Sequence, residues 1–400
     1  MRLSIALLLL PGLAFAQAKP RAPAPTAPAP HYPGAVWERR APAALGLDST
    51  ALADAVAFAL ANESPLPRDL EQAHVIQQHA EPYDTPVGPL QERGAPTGLV
   101  IRNGYVAASW GDPARVDMTF SVTKSFLSTV VGVAVDRGLI PSVDQPVIAS
   151  LGPVRAWGVT GPGEWLAPFD TPHNRQLTWD HMLRQTSDWE GTLWGKPDWA
   201  DRPQGDPRTW RARVRNAPGT SWKYNDVRVN ALAFAATQVW RRPLPAVLRE
   251  AIMEPIGASR TWRWHGYETS WIELDGQPVQ VVSGGGHWGG GLFISAEDMA
   301  RFGLLTLRGG VWEGKRLLGD AWVRAARTPT VPQPTYGYMN WFLNTGRKLW
   351  PSVPEDVFAH IGNGRNLIVC VPQHDMVIVV RWIADGATDA FLAKVLAAVR

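Results

Sequence analysis

Ser121-Val122-Thr123-Lys124 places a hydroxyl and an amine three residues apart at the start of an apolar stretch, MTFSVTKSFLSTVVGVAVDRG (118–138). On a helix that spacing puts both side chains on one face. A serine is a weak nucleophile until a base takes its proton, and a neutral lysine amine can be that base. The positive end of the helix favours alkoxide over hydroxyl and amine over ammonium, and burial lowers a lysine pKa further. The chain has seven lysines against 32 arginines and keeps one of the seven here, where an arginine could not be deprotonated. The chemistry implied is nucleophilic attack on a carbonyl. S-x-x-K alone is a weak signal, and its partners further along decide its meaning.

The first partner is Tyr224, in Pro218-Gly219-Thr220-Ser221-Trp222-Lys223-Tyr224-Asn225-Asp226. A phenol near an amine can pass a proton to a leaving group; the plainer alternative is a packed tyrosine beside a helix cap, with Asp226 capping a helix from Val227. The second is His360-Ile361-Gly362-Asn363-Gly364. A glycine there lets a backbone N–H approach a substrate oxygen, as an oxyanion hole requires, and His360 would be a polar group beside the nucleophile. Read alone, His-x-Gly is a turn before a hairpin.

Taken in this order, S-x-x-K, tyrosine and His-x-Gly resemble the serine β-lactamase and penicillin-binding superfamily, whose better-known members carry S-x-x-K with S-D-N and K-T-G. The likeness is closest to its broad hydrolase branch of class C β-lactamase-like esterases and 6-aminohexanoate-dimer hydrolases. It extends over nearly all of 37–400, because His181–Ser187 (HMLRQTS), Trp288–Leu292 (WGGGL) and Tyr336-Gly337-Tyr338 also resemble that branch's landmarks. The resemblance implies Ser121 as the acylated nucleophile, Lys124 as base and Tyr224 as proton shuttle. It also implies an oxyanion hole from the N–H groups of Ser121 and Asn363. The branch's Tyr-x-Asn reads Tyr224-Asn225-Asp226 here, with a carboxylate where an amide contacts lysine or substrate. A literal Tyr-x-Asn at Tyr338-Met339-Asn340 lacks the Pro-Gly lead-in, so Tyr224 is preferred. His360-Ile361-Gly362 replaces K-T-G, removing a cation for a substrate carboxylate and making penicillin a poor expectation.

Expected substrate-binding residues are thus His360, Gly362, Asp226, His287 and Trp194. His287 comes from Gly284–Gly289 (GGGHWG), which satisfies G-x-G-x-x-G literally; the next helix starts only at Ser295, so those glycines do not cradle a pyrophosphate. The histidine reads equally as pocket wall or packed loop. Of 20 tryptophans, most suit packing of Pro-rich loops, while Trp189 and Trp194 are candidates for an apolar acyl pocket. Nine dispersed histidines and one cysteine, Cys370, give no metal-ligand spacing and no disulfide framework. No metal and no cofactor are expected.

The elements that must position these groups read as an α+β domain, an antiparallel sheet flanked by helices with a mostly helical insertion at about 140–280. Expected elements are a helix over Leu47–Leu60, a hairpin turning at Asn103-Gly104, the buried 118–138 helix, a helix over Val227–Trp240 and one opened by Ser295. Strands over Asn366–Val371 and Met376–Trp382 and a last helix over Thr388–Val399 close the chain. With 45% hydrophobic and 19% charged residues, this is a globular chain, and a net charge of +3 without basic runs argues against a nucleic-acid partner. Met1-Arg2, the apolar Leu3–Leu10 and Ala14-Phe15-Ala16 read as a signal peptide over 1–16, cleaved after Ala16 or Ala18, then a Pro/Ala-rich linker over 17–36. The expectation is a periplasmic or secreted serine hydrolase, without stable membrane insertion once cleaved, acting on a small-molecule ester or amide through an acyl-enzyme. The alternatives are a β-lactamase or D-alanyl-D-alanine carboxypeptidase, or a catalytically weak binder of cell-wall or acyl ligands.

Overall fold

Valine, isoleucine and leucine fill two runs near the C-terminus, Asn366–Val371 and Met376–Arg381, and both are strands buried along their whole length. Strands apolar on both faces need cover on both. In the computed structural model, which describes residues 30–400, they sit centrally in a six-stranded antiparallel sheet. Its order is Phe342–Leu343, Phe358–Gly362, Asn366–Val371, Met376–Arg381, Thr97–Arg102 and Tyr105–Trp110. The last two form the hairpin expected at Asn103-Gly104, whose φ angles of 52° and 82° are those of the tight turn that matches strand twist. One sheet face is covered by the helices Ser49–Ala61 and Thr388–Ala397, which pack on each other. The other is covered by Val122–Asp136 and Ala296–Leu307.

Local signals account for where these helices begin. Asp48 accepts hydrogen bonds from the amides of Thr50 and Ala51, and Ser295 from Asp298, as N-caps do. The helix expected over 118–138 begins later, at Val122, because Met118 pairs with Phe293 in a short strand and Phe120 has a left-handed φ of 48°. Every residue from Val122 to Ala134 on this helix is buried, so it runs through the middle of the molecule.

The insertion is less helical than its composition implied. It holds the helix Asp226–Trp240, but also most of a second sheet: Val154–Gly158, Gly161–Leu166, Arg263–Leu274 and Gln277–Val282. The last two are joined at Asp275-Gly276, with φ angles of 53° and 74°, a hairpin signal overlooked among the tryptophans and prolines. Asp226 does not cap its helix; Asn225 does, its Oδ1 accepting from the Arg228 amide at 3.1 Å.

The signal peptide expected over 1–16 lies outside the described residues, as does the linker up to residue 29. The rest of that stretch lies on the folded unit, which runs from His31 to Arg400. The His31 ring stacks on Tyr105 at 3.9 Å, and the Arg301 guanidinium donates to the carbonyls of Pro33, Gly34 and Ala35. Among the described residues no helix is long and apolar enough to cross a membrane.

Candidate active site

Ser121 stands at the N-cap of the central helix, yet its hydroxyl makes no capping bond. It is turned instead to Lys124, whose Nζ donates to Ser121 Oγ at 2.7 Å. The three-residue spacing is what brings them together, and the left-handed Phe120 aims the helix end at the cleft. Strain of about 1–3 kcal/mol is typical of such a backbone and persists only where surrounding structure holds it. The Lys124 side chain is wholly shut off from water. Burial lowers its pKa, the nearby Asp226 carboxylate opposes that, Arg202 lowers it again, and the net shift is downward.

Tyr224 precedes the Asp226–Trp240 helix in a loop whose end is tied down by Asn225. The Asn225 amide donates to Gln185 Oε1 and its Nδ2 to the Asp198 carbonyl, both at 2.7 Å. The Tyr224 ring lies with its centroid 4.6 Å from Lys124 Nζ, and its hydroxyl donates to Asn340 Oδ1 at 3.2 Å. Burial, and then Asp226, raise the phenol above its ordinary range, while a hydrogen bond with Ser121 pulls the other way. Asp226 lies behind Lys124 rather than on the cleft wall, its Oδ1 accepting from Nζ at 2.7 Å. Burial pushes its carboxyl up, but Lys124 and Arg202 together outweigh that and hold it below the usual carboxylate range.

Gly362 ends the strand Phe358–Gly362 against Ser121. A Cβ there would run into the Thr119 carbonyl and stand 3.3 Å from the Ser121 amide nitrogen, so only glycine allows this approach. Asn363 follows at the cleft, its side chain paired reciprocally with Gln77 at 2.6 and 3.2 Å. His287 also lines the cleft. Its Nδ1 accepts from Arg202 at 3.0 Å, which makes Nε2 the protonated nitrogen facing Glu81 Oε2 at 2.8 Å. Burial and Arg202 push this imidazole down to about 4. Glu81, Asp201 and His287 bring ligand-type atoms within 4.8 Å of one another, but the tautomer set by Arg202 directs the ring to hydrogen bonding instead of ligation.

Besides Asp226, two more expected substrate contacts lie off the cleft wall. His360 is fully buried among Phe302, Trp341 and Phe358, with Nε2 3.2 Å from Thr306 Oγ1. Its side chain points into the helix-covered core rather than the cleft, and burial lowers its pKa to about 3. Trp194 is the first turn residue of a small hairpin (φ 54°), which turns its ring inward onto Phe234, 6.1 Å between centroids. Trp189 is equally buried, its Nε1 donating to the Pro168 carbonyl at 2.7 Å. Neither tryptophan lines the cleft. Its apolar wall comes from Leu66, Leu70, Phe120, Phe342, Ile361 and Ile383, and its volume is about 870 Å³.

The glycine run beside the site also has its reason. A Cβ at Gly285 would collide with the Asp226 carboxylate and the Lys124 amine. Sequence reasoning missed Arg202, Asp201, Glu81 and Asn340. Asn340 had a signal, in the Tyr338-Met339-Asn340 set aside above: Tyr338 bonds Asp180 at 2.9 Å, away from the nucleophile, whereas Asn340 holds Tyr224 and donates to the Ile361 carbonyl at 2.9 Å.

Comparison with known proteins gives the family and the fold. The family model described as Beta-lactamase matches residues 99–397. A 6-aminohexanoate-dimer hydrolase of Paenarthrobacter ureafaciens is 25% identical over 248 residues, 59% of this chain and 58% of the relative, so the match spans little more than half that protein's length. Among solved structures, a β-lactamase from Mycobacterium bovis has a TM-score of 0.51 at 21% identity, covering 78% of this chain and 94% of its own. A penicillin-binding protein homologue from Caulobacter crescentus has 0.52 at 15%, covering 76% and 92%. A hydrolase with promiscuous acyltransferase activity has 0.53 at 14%, covering 88% and 98%. These likenesses bear on the fold, which is that of β-lactamases and transpeptidases. With the family model spanning most of the chain, this protein belongs to the β-lactamase family of serine hydrolases.

Proposed function

We propose that this chain is an exported hydrolase that cleaves an ester or amide through an acyl-enzyme on Ser121. The observation that carries the reading is the 2.7 Å contact between Ser121 Oγ and a fully buried Lys124 amine, with the Tyr224 phenol alongside. The neutral amine accepts the Ser121 proton as Oγ bonds the substrate carbonyl carbon. The negative charge on the carbonyl oxygen is met by the Ser121 and Asn363 amides. The bond to the leaving group breaks, and the proton reaches that group from Lys124 by way of Tyr224. Water then adds to the acyl carbon, its proton passing back through the same groups, and frees Ser121.

Two features weigh against a penicillin substrate: His360 stands where the better-known members carry a lysine, and it is buried away from the cleft. The apolar wall suits an uncharged acyl group. The Paenarthrobacter relative makes a 6-aminohexanoate dimer one amide to assay beside simple esters. The reading of a weak binder draws on one observation, the Asp226 carboxylate against the lysine, and turnover distinguishes it. Export rests on the apolar Leu3–Leu10 segment and Ala14-Phe15-Ala16.

The test is intact-protein mass after incubation with a fluorophosphonate, with ester turnover measured in parallel. A single adduct on the wild type and none on Ser121→Ala is expected. Equal labelling of both proteins, or of neither, would overturn the assignment of Ser121.

A further inference from the structure

Lys124 and Asp226 form a buried pair at 2.7 Å, and a carboxylate at that distance in a dry site favours the ammonium form of the lysine. An ammonium cannot take a proton from Ser121. Asp226 alone would therefore disable the base. The same carboxylate, however, has a second partner. Its Oδ2 accepts from Arg202 at 2.8 Å. Arg202 comes from a separate loop, holds a left-handed φ of 46°, and is fixed on its other side by His287 at 3.0 Å. Its guanidinium lies 5.2 Å from the Tyr224 ring centroid.

We propose that Arg202 is a positioning residue that offsets the charge of Asp226, so that the arginine–aspartate pair does the work of a neutral amide and leaves Lys124 free to act as base. This rests on the hydrolase reading above. The other groups facing the pair enter the same balance. Asp201 also accepts from Arg202, at 2.6 Å, but burial and the Asp226 carboxylate beside it push its own carboxyl up, opposed by Arg202. Arg202 is thus shared by two carboxylates, and Asp226 takes part of its charge through the 2.8 Å contact. His287 is neutral in the tautomer that Arg202 imposes, with Glu81 on its far side. Tyr224 is held protonated by burial. Of the groups around Lys124, Asp226 and more weakly Asp201 favour the ammonium, and Arg202 works against it.

The experiment is the pH dependence of kcat/KM for a p-nitrophenyl ester, measured for wild type, Arg202→Gln, Asp226→Asn and the double variant. In Arg202→Gln the rising limb that follows loss of the Lys124 proton is expected to move up by about one pH unit, costing about tenfold at pH 7 and recovering at alkaline pH. Asp226→Asn, which leaves the arginine opposed by Asp201 alone, moves the limb down. The double variant returns it to within about half a unit of wild type and recovers activity over Arg202→Gln. A general loss of structure would not move the limb in opposite directions or be rescued by a second substitution. Should Arg202→Gln fail to fold, Arg202→Lys keeps the charge and the limb is expected to stay in place, while Asp226→Asn alone still reports the opposite shift. An unmoved limb in Arg202→Gln or Asp226→Asn, a displaced limb in Arg202→Lys, or a double variant no more active than Arg202→Gln overturns the proposal. A wild type that neither turns over nor labels at Ser121 removes the hydrolase reading, and this inference with it; a labelled, active wild type with unmoved limbs removes this inference alone.

Discussion

Around Ser121 the decisive contacts are few and short, and each side chain has a second partner that fixes it. Tyr224 illustrates this. Its hydroxyl donates to Asn340 Oδ1 at 3.2 Å, and Asn340 is in turn fully buried, with Nδ2 on the Ile361 carbonyl at 2.9 Å. The asparagine thereby links the tyrosine to the strand that ends at Gly362. Replacing it leaves the phenol without its partner and the Ile361 carbonyl unpaired, a loss that costs about 1–3 kcal/mol when the group is buried. Asn340→Ala is expected to lower kcat about tenfold or more, with KM little changed, in steady-state ester kinetics. An unchanged kcat would mean that Tyr224 is oriented without it. The S-x-x-K pair was legible because its partners are one helical turn apart. The contact of Asn340 with Tyr224 was not, because more than a hundred residues separate the two.

Among the elements, the central helix and its N-cap bring Lys124 and Ser121 together, and loops from elsewhere bring Tyr224, Arg202 and His287 to them. The helix could be read from its apolar run and its stop at Gly138, and its burial followed from having no polar face. The strands Asn366–Val371 and Met376–Arg381 were equally plain, because β-branched runs bounded by a turn have few other meanings. The insertion was not plain. Its tryptophans advertise packing without saying which of them face a cavity, and the direction of Trp194 is set by its hairpin turn and by Phe234. A tryptophan in that position supports the core instead of selecting a substrate. Trp194→Ala is therefore expected to lower stability by about 3 kcal/mol in denaturant unfolding, while the dependence of KM on acyl chain length stays as in wild type. A changed chain-length profile at unchanged stability would return the residue to the cleft.

At the scale of the whole molecule, two histidines are buried in neutral form, with consequences for acid stability. His360 is lowered to about 3 by burial, and His287 to about 4 by burial and then Arg202. An unfolded histidine titrates near about 6.5, so between that pH and the folded value the unfolded chain binds the extra proton and stability falls as pH falls. His360→Gln removes one such group. The Tm lost between pH 7 and pH 4 is expected to be smaller in this variant than in wild type by a few degrees, as read by thermal unfolding at both pH values. Equal losses would mean that His360 is already protonated, or finds a proton partner, in the folded core.

Outside the insertion, the sequence by itself determined the local things: which segments coil or extend, where Asp48 and Ser295 start helices, where Asn103-Gly104 turns, and that Ser121 and Lys124 share a helix face. These follow from spacing and from the chemistry of neighbouring residues. Only the tertiary structure decided that Asn340 meets Tyr224, that His360 turns into the core and His287 onto the cleft, and that Arg202 meets Asp226. Those outcomes depend on which way a strand or loop faces once the layers have packed. The charge balance at Lys124 in particular is a property of three segments brought into contact, and no window of the chain contains it.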